Sequence, residues 1–136
     1  MSQASDYLEG QIRAHLLRSA TWAKTTARHV SLHTANPADD ASGTEVSGGS
    51  YARVQRDADD LNWSAPSLTA GLSANLASLT FPAPSANWGV VTHFGIWDAA
   101  SGGNLLCYGA LTVPKTVNSG DPAPFFDVGA LAVTVA

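Results

Sequence analysis

Between Ala86 and Gly120 the chain reads ANWGVVTHFGIWDAASGGNLLCYGALTVPKTVNSG, two apolar stretches joined by a short glycine-rich run, and nothing else in the sequence restricts the fold as much. From Thr92 to Asp98, Phe94 and Ile96 alternate with His93, Gly95 and Trp97, the two-residue period of a β-strand. Ala99, Ala100, Ser101, Gly102 and Gly103 supply a turn. A return strand from Asn104 to Thr112 places Leu105, Cys107, Gly109 and Leu111 on one face and Leu106, Tyr108, Ala110 and Thr112 on the other. Both faces are largely apolar, so the hairpin belongs inside a sheet covered on two sides, with Phe94 and Ile96 as core residues.

The remaining segments extend the same pattern. Val30 to Thr34 reads as a strand with Val30 and Leu32 inward, Tyr51 to Gln55 as a short one, and Leu72 to Phe81 as one in which Ala77, Leu79 and Phe81 share a face. Pro82 and Pro84 end that strand, and Asn118, Gly120, Pro122 and Pro124 mark a loop. In a last strand Leu131, Val133 and Val135 alternate with Ala130, Ala132 and Thr134. The one helix expected lies at the start, where Asp6 and Glu9 have the spacing of a capping pair and Leu8, Ile12, Leu16 and Ser19 follow at helical intervals, with Leu17 widening the stripe. Gly10 weakens that helix by about 1 kcal/mol relative to alanine, so packing against something else must hold it. Ala35 to Ser50, with Asn36-Pro37, Asp39-Asp40, Gly43 and Gly48-Gly49, reads as a long loop, and loops of that length usually carry function or contacts. Seven or eight short strands after one helix predict a mainly β fold, an antiparallel β-sandwich or distorted barrel with one N-terminal α-helix. The expected organisation is a single domain over 1–136, with helix and lead-in at 1–28 and a β-core at 29–136.

The 136 residues, 45% of them hydrophobic, suffice for one core without disulfides or metal. A net charge of -4 and only 13% charged residues argue against a surface that grips nucleic-acid phosphates. No apolar run approaches the ~20 residues that span a bilayer, and no basic region followed by an apolar one opens the chain, which predicts synthesis in the cytoplasm without membrane insertion. The single cysteine, Cys107, sits in an apolar strand and reads as a small buried hydrophobe.

Chemistry is sparse. His15, His29, His33 and His93 lack the helical two-histidine spacing of zinc proteases, although His29 and His33 could converge at one strand end. Asp57, Asp59 and Asp60 lack the glycine and distal glutamate of a calcium loop. Gly43, Gly48 and Gly49 do not form a phosphate-binding motif with lysine and Ser or Thr behind them, and Ser50 and Ser101 lie in no hydrolase motif. The expectation is no enzyme, no catalytic residue, no metal and no cofactor. Of the aromatic residues Trp63, Trp88, Trp97, Tyr51 and Tyr108, Trp63 is the candidate for stacking on a ligand, because it stands beside Asn62 in a polar, acidic stretch; packing in a core or interface is the commoner use of such a ring.

The run WGVVTHFGIWDAASGGNLLCYGALT, followed by KTVNSGD, resembles a family of small bacteriophage virion proteins described as tail fibre proteins. Ser5 to Glu9 resembles the opening of that family's helix, and VSLHTANPADD with GTEVSGGSYARV its first two strands and their loop; Asp57 to Leu68 is acidic and less typical. The resemblance implies a structural part of a phage tail, fibre or collar, located in the virion, with other virion proteins and copies of itself as partners. It is also compatible with an adhesion module that binds a host-surface glycan or receptor. In the assembly reading the candidate contacts are Leu8, Ile12, Arg13 and Arg18 on the helix and Asp39 and Asp40 in the long loop, since a basic helix could meet the acidic loop of a neighbour.

Overall fold

Nine strands and one helix form among residues 2–135, the part of the chain that the computed structural model describes. In order these are β1 (Ser2–Ala4), α1 (Asp6–Leu17), β2 (His29–His33), β3 (Val54–Gln55), β4 (Leu72–Ala74), β5 (Leu79–Thr80), β6 (Gly89–Trp97), β7 (Leu105–Val117), β8 (Phe125–Phe126) and β9 (Ala132–Thr134). The largest sheet is antiparallel and ordered β1-β7-β6-β2-β3; β4 pairs with β9 and β5 with β8 in two smaller antiparallel sheets. The fold is mainly β and sandwich-like, as the strand pattern predicts.

The β6–β7 hairpin lies inside the large sheet, and alternation along β6 builds two different faces. On one, Phe94 and Ile96 join Val30, Leu32, Leu79, Phe81, Val91, Val117 and Leu131 in the main core. The small sheets close this face, with Phe126 edge-on to both Phe81 and Phe94 at centroid distances of 6.3 and 6.2 Å. On the other face Trp97, Leu105 and Tyr108 form a second cluster capped by Ala41. Strict alternation does not survive in β7, however. Ile96 stands opposite Cys107 and Trp97 opposite Leu105, so Leu106 is an extra residue in the ladder. This bulge turns Leu106 and Cys107 both toward the main core and leaves Leu105 and Tyr108 on the second face, a division that simple two-residue counting misses. A second irregularity sets Val91 opposite Lys115 and His93 opposite Ala110, and β7 runs on past Thr112 to Val117.

Four other expectations change. The stretch from Leu72 to Phe81 is two strands, because the buried Asn75 side chain diverts the chain: its Nδ2 donates to the carbonyls of Ala77 and Asp127, and its Oδ1 accepts from the Leu131 amide. The helix cap is Ser5, whose hydroxyl accepts from the Leu8 amide at 3.2 Å, one residue earlier than the Asp6–Glu9 spacing suggests; Asp6 and Glu9 instead place negative charge in the first turn. Strand β1, ahead of that helix, pairs with β7, so part of the stretch read as helix and lead-in belongs to the sheet. Within the Ala35–Ser50 loop, Glu45 bridges to His33, Val46 is buried beside Leu32, and Asp39 and Ala41 in its middle meet the second face of the sheet, so the loop is tied to the sheet at several points.

Candidate functional site

Helix α1 packs by its first turns alone. Leu8 is 6% exposed inside the main core, whereas Ile12, Leu16 and Leu17 are 39%, 76% and 75% exposed. Leu8 is therefore a core residue of its own chain, and the apolar surface open to a partner consists of the other three. Arg13 reaches back one turn to Glu9 at 3.0 Å, an exposed pair worth a few tenths of a kcal/mol. Arg18 follows at the end of the helix and is exposed.

The two loop acids serve different purposes. The Asp39 carboxylate accepts a short hydrogen bond from the Tyr108 hydroxyl, and its carbonyl accepts from the Asp6 amide at 3.1 Å, so it fastens the loop to the helix start and the second face. That hydrogen bond and then burial push the Tyr108 pKa up to about 12. Asp40 is exposed and accepts from the Ser42 amide; the Ser42 side chain and then that amide hold its pKa below the ordinary value.

The second face contains the closest approach to a catalytic arrangement. Ser31 Oγ lies 2.7 Å from His33 Nε2, and it accepts from the Trp97 indole at 2.8 Å. Ser31 and His33 are sealed from solvent, and burial before all else lowers the His33 pKa to about 4. Around this pair, Arg53 places its guanidinium 3.9 Å over the Trp97 ring and closes on Glu45, Nε to Oε1 at 2.8 Å and Nη2 to Oε2 at 2.7 Å. Its Nη1 donates to the carbonyls of Ala99 and Gly102, both at 2.9 Å, clamping the hairpin turn. The Tyr51 hydroxyl accepts from the Leu32 amide and donates to Glu45. Burial alone would raise the Glu45 pKa, but hydrogen bonds from Arg53 and Tyr51 and the Arg53 charge outweigh it and leave the carboxyl below its ordinary value. This is a structural polar network, built to hold elements together.

His29 and His33 begin and end β2, so they do not meet at one strand end. Among the described residues no group of three or more His, Cys, Asp or Glu is arranged to hold a metal ion, and no helix is long and apolar enough to cross a membrane. Cys107 is buried, and desolvation pushes its thiol up to about 11, the protonated form of a packing residue.

Trp63 lines an open cleft of about 470 Å³, together with Lys24, Arg28, Asp59, Asp60 and a floor that includes Ile96, Cys107 and Val133. The ring is half-buried against the core, and its indole N–H donates to the carbonyls of Arg56 and Asp57 at 3.3 and 3.1 Å. Sequence reasoning singled out Trp63 but not Arg28 as a cleft residue. The only trace of it is an arginine directly before a buried strand. What makes it distinctive, three oxygen acceptors from the local backbone and Thr25, depends on how the preceding turn folds.

Comparison with curated proteins gives no match. The family model described as Podophage GP4 fiber I protein gp80 matches residues 3–134, nearly the whole chain, so the protein belongs to this family of phage fibre proteins and is a structural part of the virion.

Proposed function

We propose that the chain is a fibre building block, made in the bacterial cytoplasm, that joins other virion subunits and copies of itself through the exposed face of α1 and acts by packing rather than catalysis. The observation that carries this reading is the open row of Ile12, Leu16 and Leu17, which continues along the helix beyond Leu8, the residue that anchors its first turns in the core. An amphipathic helix ordinarily buries its apolar row, and a contiguous exposed one marks a contact surface. Arg13 and Arg18 lie on the same helix and Asp40 in the long loop, charges that would set register between copies rather than supply affinity. We read the chain as one domain, since both β1 and the segment after α1 pack into the same core through Ala4 and Trp22.

The test is a Leu16→Asp, Leu17→Asp double variant. Both positions are exposed, so its melting temperature should match that of the unchanged protein while its incorporation into particles falls severalfold or more. Wild-type occupancy would remove α1 from the interface.

A second reading, a host-adhesion module, is favoured by one feature, the Trp63 cleft, where an aromatic wall meets cationic and acidic side chains over an apolar floor. Pull-down of the purified protein on host-envelope polysaccharide, abolished by Trp63→Ala, is the expected result; equal retention of both proteins would dismiss it.

A further inference from the structure

Two arginines in this fold present the same half of the guanidinium to different surroundings. Arg53 closes Nε and Nη2 on the Glu45 carboxylate and gives Nη1 to carbonyls. Arg28 also spends Nη1 on local acceptors, the carbonyls of Thr25 and Ala27 at 2.7 Å each and the Thr25 hydroxyl at 3.0 Å. Its Nε and Nη2, by contrast, have no protein acceptor among the described residues, and no carboxylate pairs with it there. Arg28 is nevertheless only 7% exposed, and desolvation lowers its pKa against the opposing charge of Asp98. Nε and Nη2 are not among the sealed polar atoms left without a partner, so the unfilled side-on fork of a largely buried guanidinium keeps an opening to the cleft and matches the two oxygens of a carboxylate.

We propose that this cleft binds a carboxylated sugar, with the carboxylate on the Nε and Nη2 fork of Arg28 and the pyranose face against Trp63. The proposal rests on the adhesion reading above and names its ligand class. The two hydrogen bonds from the Trp63 indole fix the ring before any ligand arrives, which lowers the ordering cost of stacking. The apolar floor suits the C–H face of a sugar, and Lys24 stands exposed at the cleft as a second cation. Asp59 turns its carboxylate into its own loop, accepting from the Leu61 and Asn62 amides and from Asn62 Nδ2. Asp60 remains exposed, an acceptor for sugar hydroxyls and a repulsive neighbour for a polyphosphate. A single carboxylate among hydroxyls therefore fits better than a nucleic acid.

The experiment titrates the full chain with tri-galacturonic acid and with 3′-sialyllactose, each beside its methyl ester, following the Trp63 indole N–H and the Arg28 Nε–H by NMR. At least one acid should bind and shift both signals, with its ester at least about tenfold weaker, the loss expected when a charge-assisted bidentate contact is removed. Arg28→Lys, which keeps the charge and loses the fork, should weaken the acid to a similar degree while leaving the ester unchanged. Acid and ester binding equally at Trp63 would overturn the carboxylate assignment and leave glycan adhesion standing. No response to any of the four would overturn both. Because the acid–ester comparison uses the unaltered protein, it decides the question even where Arg28→Lys perturbs folding.

Discussion

Gly95 has no side chain because three partners already occupy the space. A Cβ there would lie 2.7 Å from Ser31 Oγ and 3.0 Å from both Leu105 Cδ1 and Trp97 Nε1, inside the hydrogen bond that joins Trp97 to Ser31. Gly95→Ala should therefore cost about 1–3 kcal/mol by overpacking, whereas Gly10→Ala, which meets nothing within 4 Å on the helix, should add up to about 1 kcal/mol of stability. Urea denaturation of the two variants checks both signs; an unchanged midpoint for Gly95→Ala would mean the second face is looser than its distances imply. At this scale the sequence was partly readable. Phe94, Ile96 and Cys107 announce burial by period and composition, but that Gly95 yields its volume to Ser31 and Trp97 depends on β2 lying alongside β6, which no local pattern encodes.

Among the elements, the long strands β6 and β7 were legible, and the short β3 and β9 also fell within stretches read as strands, whereas β1 and β8 did not. Strands β6 and β7 alternate over enough residues to be recognised, although the bulge at Leu106 reassigns the faces beyond it. Strands β1 and β8 have three and two residues, too few for any periodicity, and exist because a neighbouring strand offers its edge. The apolar stripe of α1 was visible as well; which part of it the core claims was not, since β1 and Ser5 decide the helix's position. Even Asp57–Leu68, compositionally atypical, falls inside the range matched by the fibre family. Ser5 joins these elements: its side chain caps α1 through the Leu8 amide and also donates to the Leu105 carbonyl in β7. Ser5→Ala should cost about 1–2 kcal/mol, more than an exposed cap would, and hydrogen exchange in the first turn of α1 should rise with it. Loss of stability without faster exchange there would assign the residue to the sheet alone.

For the molecule as a whole, buried histidine sets the response to acid. His33 falls from 6.5 to about 4 on folding, so between these values the unfolded chain holds more protons than the folded one. Stability should be complete above pH 6.5 and decline as pH drops toward 4, by roughly 2–3 kcal/mol from this group. Glu45, also lowered, retains its contribution above its unfolded value of 4.5 and loses it as pH falls through its folded one, extending the decline. Denaturation between pH 7 and pH 4 measures the slope, and His33→Gln should flatten the upper part of it; an equally steep profile in that variant would place the proton uptake elsewhere. The clamp at Arg53 has a consequence of another kind. One guanidinium joins Glu45 in the long loop, Ala99 and Gly102 in the hairpin turn, and the Trp97 ring on the sheet, beside the tie each has of its own: Tyr51 to Glu45, Asn104 to Asp98, and Trp97 to Ser31. Displacing any one of these segments strains its contact through Arg53 with the others, so their movements at that end of the molecule are coupled rather than independent.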